Sequence, residues 1–180
     1  LEHNRDCIDI IDEAYADFGE YSAVELIDKY DNLVVTQTFS KSRSLAGMRV
    51  AAAFANPYLI SYMDAVKDSY NSYPMDSIAI QTGIASIQDK KYFRNTVSKI
   101  IATRERTADS LRALGYKVLD SSTNILFVSH SEHSAKDIFE YLKSRKIFIR
   151  YFDKPRIENY LRITIGTDEE MDAFLAAVKK

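Results

Sequence analysis

The sequence predicts a mixed α/β fold in two parts, and three observations predict it. The first 75 residues alternate short, continuous apolar strands with one short helix, in the order β-α-β-β. The last 90 residues alternate more amphipathic strands with helices, an α+β pattern. A long helical stretch, 90–114, lies where the pattern changes and reads as the joint between the parts.

Each element has its own local reason. Residues 7–11 form an apolar run broken only by Asp9, which reads as a buried strand with Cys7 as a core residue. Residues 22–30 fit a short helix, with Ser22 as N-cap and Glu25 three positions on. Residues 32–38 are rich in β-branched side chains and read as the second strand. A polar loop follows, and 48–55 read as the third strand. Asn56-Pro57 is an N-cap followed by proline at the first helical position, opening a helix to about Ser69. Tyr73-Pro74 breaks the pattern, and 76–88 resume it. In 90–114 the apolar stripe is Phe93, Val97, Ile100, Ile101, Ala108, Leu111 and Leu114, and Gly115 supplies the stop. Arg104-Glu105-Arg106 reads as the wet face of that helix. Strands are expected at 116–119, 124–129, 147–151 and 160–165, and helices at 134–145 and 168–179. Thr167 and Glu170 form a capping box for the last one. Tyr58, Tyr62, Tyr70 and Tyr73 read as core or subunit packing.

Composition narrows the function classes. A hydrophobic content of 46% with 9 Phe and 12 Tyr excludes a disordered chain. A net charge of −2 offers no basic surplus for nucleic acid or an anionic membrane. One cysteine excludes an internal disulfide and fits a reducing compartment. No apolar run approaches the roughly 20 residues of a membrane span. The polar start, Leu1-Glu2-His3-Asn4-Arg5-Asp6, lacks a secretory-signal pattern, and it lacks methionine, which points to a processed chain or a piece of a longer one. His3, His130 and His133 have no carboxylates on a shared face, so no metal site is expected.

Two segments carry candidate chemistry. The loop from Thr38 to Arg49 places Lys41 among hydroxyls just after a strand, with Arg49 eight positions on. Hydroxyls, backbone N–H groups and an arginine are what a phosphate needs, and a lysine beside a bound phosphate ester can attack an aldehyde. Taken alone, the loop reads better as a solvated basic turn. Asp12 stands at the end of the first strand, where α/β folds place ligand groups, with Tyr15 three residues on. A buried Asp there needs a cation, such as a protonated pyridine nitrogen; the plainer alternative is a helix cap with Tyr15 in the core.

Together, Asp12-Glu13-Ala14-Tyr15, Thr38-Phe39-Ser40-Lys41-Ser42 and Leu45-Ala46-Gly47-Met48-Arg49 resemble fold-type I pyridoxal-phosphate (PLP) aminotransferases, most closely the histidinol-phosphate aminotransferase family. Tyr73-Pro74, Thr123-Asn124-Ile125-Leu126-Phe127, Ile147-Phe148-Ile149-Arg150 and Leu161-Arg162-Ile163-Thr164-Ile165-Gly166-Thr167 continue the resemblance in consistent order from Asp9 onward. It implies residues 1–88 as part of a large PLP-binding domain with a mainly parallel sheet. Residues 89–180 would be a small C-terminal α+β domain entered through the long helix.

By position, the resemblance makes Lys41 the Schiff-base lysine and proton shuttle. It makes Asp12 the partner of the pyridine nitrogen and Tyr15 a contact to the cofactor's ring oxygen. Arg49, Ser40 and Thr38 would hold the cofactor phosphate. Arg162 would bind the carboxylate of glutamate and the substrate phosphate in turn, supported by Arg150. An unpaired charge inside the apolar strand around Arg162 is costly, so that side chain wants an anion. Asn124 reads as structural. The implied reaction is histidinol phosphate plus 2-oxoglutarate to imidazole acetol phosphate plus glutamate, in the cytoplasm, by a homodimer. Alternatives are an aromatic or aspartate aminotransferase, a threonine-phosphate decarboxylase, or a non-catalytic interaction module.

Members of that family are roughly twice as long, and the segments before Asp12 have no counterpart here. The chain therefore reads as a C-terminal fragment, with apolar faces of its sheet left open. The isolated 180 residues are expected to show little or no transaminase activity.

Overall fold

A computed structural model describes residues 1–179. Packing divides the chain into two units, Leu1–Asn95 and the part from Thr96 onward. The first unit holds β1 (Asp9–Asp12), β2 (Leu33–Thr38), β3 (Ala51–Ala55), α1 (Pro57–Tyr70), α2 (Ser77–Gln88) and the start of α3 (Lys90–Ala113). The second holds the rest of α3, β4 (Tyr116–Val118), β5 (Ile125–His130), α4 (Ala135–Ser144), β6 (Arg150–Tyr151), β7 (Leu161–Thr164) and α5 (Asp168–Val178).

In the first unit β2 is central. It runs parallel to β1, with Asp12 opposite Thr36, and antiparallel to β3, with Thr38 opposite Ala51. The sheet of this unit thus carries one parallel and one antiparallel pairing. Leu33, Val34 and Val35 are buried, as a central β-branched strand requires. Asn56 caps α1 by accepting from the Tyr58 N–H, with Pro57 at the first helical position, and Asp76 caps α2 through the Ala79 N–H.

Several expectations for this unit are corrected. The strand around residues 7–11 is not buried: Ile8, Ile10 and Ile11 are exposed, and Cys7 is exposed ahead of the strand. A strand is buried on both faces only when neighbours cover both, and β1 pairs on one side alone among the described residues. The 22–30 helix shrinks to a 3₁₀ turn, Ala23–Leu26, capped by Ser22 as expected. The third strand begins at Ala51 because Ala46–Met48 form another 3₁₀ turn. Tyr58, Tyr62, Tyr70 and Tyr73 are all exposed and form no part of this unit's core. All the exposed large hydrophobic side chains except Leu119, Tyr141 and Phe148 belong to the first unit.

The second unit has a conventional core. Its antiparallel sheet has the order β4-β5-β7-β6. Leu126 and Val128 from β5, and Leu161 and Ile163 from β7, pack with Leu111, Leu142, Met171, Phe174 and Leu175 from the helices. Gly115, at φ 86°, makes the left-handed turn that ends α3. Thr167 and Glu170 exchange the reciprocal bonds of a capping box at the start of α5. The 147–151 strand is only Arg150–Tyr151. Arg104 is buried, not wet: its guanidinium donates to the Thr123 carbonyl at 2.8 Å and pairs with Glu105. Arg106 does face solvent and bridges Asp168 and Asp172 on α5.

Candidate active site

In the first unit the candidate residues gather at the C-terminal ends of β1 and β2. Asp12 ends β1 and is exposed; its Oδ1 accepts from the Ala14 N–H at 3.0 Å, which turns the chain out of the strand. The buried aspartate of the sequence reading is therefore corrected. It is a solvated carboxylate held in one orientation by its own turn. Tyr15 follows, half-buried, at the head of the 3₁₀ turn Ala16–Phe18, which buried Phe18 pins to the unit.

Glu13, which the motif reading passed over, anchors this turn. Its carboxylate accepts from the Ser22 hydroxyl at 2.6 Å, the Gln37 amide at 3.0 Å and the Ala23 N–H. Burial pushes its pKa up, but these three donors outweigh it and hold the carboxyl below its ordinary value. The Glu13 N–H also donates to the Thr36 carbonyl, continuing the β1–β2 ladder by one rung.

The loop after β2 is closed by its own backbone. The Phe39 N–H donates to Val50, and the Leu45 N–H to Phe39. Thr38 Oγ1 lies 2.9 Å from Ser40 Oγ and accepts from the Ser40 N–H at 3.1 Å, so two hydroxyls share one corner. Lys41 is exposed, and its Nζ lies 5.4 Å from the centre of the Tyr15 ring. Among the described residues Lys41 forms no ion pair. Ser42 is buried, and its hydroxyl donates to the Asp17 carboxylate. Arg43 turns inward, donating to the Ser86 carbonyl at 2.8 Å with its guanidinium 4.1 Å from the Phe93 ring.

Arg49 departs from its expected place at the start of a strand. It sits before β3 in the left-handed region, at φ 56°, and donates to the Ala46 carbonyl at 2.9 Å. Ser44 shares that conformation, also at φ 56°. Two non-glycine residues in this region within one loop are a backbone strain that surrounding contacts must hold.

In the second unit, β6 and β7 place Arg150 directly opposite Arg162. Like charges at opposed positions repel. Phe152 lies beside both guanidinium groups, at 5.5 Å from Arg150 and 5.7 Å from Arg162. Neither arginine has an ion pair among the described residues. Arg162 Nε is buried without a hydrogen-bond acceptor. A buried guanidinium nitrogen without an acceptor, opposite a second arginine, leaves N–H donors of the kind an anion accepts from. Asn124 keeps its backbone in the sheet, accepting from Ile165, yet its side-chain Oδ1 is buried and without a donor.

The residues fit a phosphorylated pyridine aldehyde. An exposed amine, two hydroxyls just before it in the same loop, an oriented carboxylate and a phenol are the donor and acceptor set such a group requires. Glu13, Asp17 and Ser42 carried no sequence signal of their own. Polar residues acquire roles in holding a site only once the fold chooses their partners.

The family profile for aminotransferases of class I and II matches residues 2–178. A histidinol-phosphate aminotransferase of Acinetobacter baumannii (strain SDF) is 49% identical over 180 residues, covering 100% of this chain and 50% of the relative. One from Clostridium acetobutylicum is also 49% identical over 180 residues, covering 100% of this chain and 51% of the relative. The solved structure of histidinol-phosphate aminotransferase from Sinorhizobium meliloti, in complex with pyridoxal-5'-phosphate, aligns with a TM-score of 0.82 at 28% identity. That alignment covers 94% of this chain and 47% of the other. The chain spans about half the length of the curated relatives it matches.

Proposed function

The chain belongs to the class I and II aminotransferases, and from that premise we propose that the whole protein is a PLP-dependent transaminase of the histidinol-phosphate type. It passes an amino group between histidinol phosphate and 2-oxoglutarate, giving imidazole acetol phosphate and glutamate. The observation that carries the reading is Lys41: an exposed amine without an ion pair among the described residues, 5.4 Å from the centre of the Tyr15 ring and next in sequence to the corner made by the Thr38 and Ser40 hydroxyls. We assign residues 1–88 to the cofactor-binding domain and 89–180 to the small domain. The working form is a cytoplasmic homodimer.

When bound, PLP supplies the electron sink that makes the amino group transferable. The residues do the rest. Lys41 Nζ holds the cofactor covalently and then carries the proton between the two carbons of the transfer. Asp12 stabilises the proton on the pyridine nitrogen, and Tyr15 Oη donates to the ring oxygen. Thr38, Ser40 and Arg49 hold the phosphate, Arg49 by exchanging the Ala46 carbonyl for it. Arg162 binds the substrate anion in both half-reactions, with Arg150 beside it. A fork of N–H donors suits carboxylate and phosphate alike, which is what a site serving glutamate and a phosphate ester requires. The opposed arginines and the named relatives favour this substrate over an aromatic amino acid.

Borohydride reduction in the presence of PLP, followed by peptide mapping, tests the assignment. Label concentrated on Lys41 and lost in Lys41→Ala is expected. Label spread evenly over exposed lysines such as Lys67 and Lys117 would overturn it. The 180 residues assayed alone are expected to turn over histidinol phosphate at or near background, because the first unit leaves β1 and α1 uncovered. Turnover of phenylalanine above histidinol phosphate by the whole protein would reject the substrate assignment.

A further inference from the structure

We infer that the Asp17–Ser42 contact is a positioning clamp that sets Lys41 over the Tyr15 ring; the inference rests on the reading that Lys41 holds the cofactor. Ser42 is the residue after Lys41. It is 5% exposed, although Lys41 before it is open to solvent. A buried hydroxyl needs a partner, and this one donates to the carboxylate of Asp17. A hydrogen bond to a charged acceptor is roughly twice as strong as a neutral one.

The geometry gives the bond its purpose. Asp17 lies in the 3₁₀ turn that begins directly after Tyr15 and is rooted by buried Phe18. The clamp thus joins the segment bearing Tyr15 to the loop bearing Lys41 across 25 positions of sequence. The next residue, Arg43, is fixed separately at Ser86 and Phe93. With Ser42 held toward Asp17 and Arg43 held toward α2, the backbone at Lys41 has little freedom left. The Lys41 Nζ then lies 5.4 Å from the centre of the Tyr15 ring. Asp17 and Ser42 touch neither cofactor nor substrate; they act through Lys41. Strain at Ser44, two residues beyond the clamp, is held by the same pair of anchors.

The test measures Lys41 without relying on turnover. Competitive trace acetylation across a pH series, read by mass spectrometry, reports the reactivity of each lysine in the 180-residue chain without cofactor. Asp17→Ala and Ser42→Ala are each expected to change the reactivity of Lys41 by about tenfold. Lys67 and Lys117 should stay within twofold. The double variant should be no worse than either single one, because both remove the same bond. Ser42→Thr, which keeps the hydroxyl, should restore the wild-type profile. Unchanged Lys41 reactivity in Asp17→Ala, a change shared equally by all lysines, or effects that multiply in the double variant would each overturn the clamp. Borohydride labelling with PLP on the same proteins separates the two claims. If wild type takes no label on Lys41 while Asp17→Ala still shifts its acetylation, the clamp stands and the cofactor reading falls. If wild type is labelled and both variants are labelled to the same extent, the cofactor reading stands and the clamp falls.

Discussion

Replacing Glu13 by glutamine keeps the side chain's size and removes its charge. In the wild type the carboxylate receives three donors, from Ser22, Gln37 and the Ala23 N–H. Glutamine offers one carbonyl oxygen, and its amide then faces a donor. With that oxygen in the Oε1 position the Ala23 bond is kept, and the two bonds to Oε2, from Ser22 and Gln37, are lost. For a half-buried group each contributes about 1 kcal/mol net, so the turn should loosen by about 2 kcal/mol. That corresponds to roughly 30-fold in the opening equilibrium. Amide hydrogen exchange at Ala23 reads it directly, since that N–H is bonded to the carboxylate itself. Glu13→Gln should speed exchange there about 30-fold while leaving amides of α4 and α5 unchanged. The pH dependence has a fixed sign. The folded pKa lies below the ordinary value of 4.5, so the carboxylate's contribution is fully present above pH 4.5 and is lost as pH falls through the folded value. The gap between wild type and variant should therefore close on acidification. Exchange at Ala23 within threefold of wild type, or a gap that widens below pH 4.5, would refute the reasoning.

Two further outcomes are expected. Leu142→Ala, at a position fully buried in the second unit's core, should lower the unfolding free energy of that unit by about 2–5 kcal/mol, measured by urea denaturation; a loss under 1 kcal/mol would show that the site collapses without a cavity. Adding inorganic phosphate should shift the Arg162 Nε–H resonance in a nitrogen-edited spectrum and do so less in Arg150→Gln; a spectrum in which only exposed lysines respond would remove the anion-receptor reading of the pair.

Much of the fold was legible because its signals are local. Asn56-Pro57, Gly115 and the Thr167–Glu170 box each act within a few residues, and each does in the structure what its chemistry requires. The run 32–38 also appeared where its β-branched content put it. What failed depends on neighbours. Ile8, Ile10 and Ile11 have the composition of a covered strand, but composition does not supply the cover. Arg104 stands in a charge run yet is drawn inward by the Thr123 carbonyl, a partner 19 positions away. Arg49 lies past a 3₁₀ turn that no periodicity announces. The candidate site divides the same way. Asp12, Tyr15, Lys41, Arg49, Arg150 and Arg162 were read as candidates from residue types in a pattern. Glu13 and Ser42 stood inside the same motifs without a role, and Asp17 outside them, because a polar side chain in a loop has no visible duty until folding brings its partner.

The opposed arginines of β6 and β7 carry a consequence for the sheet itself. β6 is two residues long, at the edge of its sheet, and one of its two rungs sets a positive charge against another. Such an edge is weak by design of its charges, and an anion between them turns repulsion into attraction on both sides. Occupancy and edge pairing then become one equilibrium: whatever binds the arginines also zips the strand. The amide proton of Arg150 would serve as a built-in gauge, slowing in exchange as ligand concentration rises and quickening when it is withdrawn.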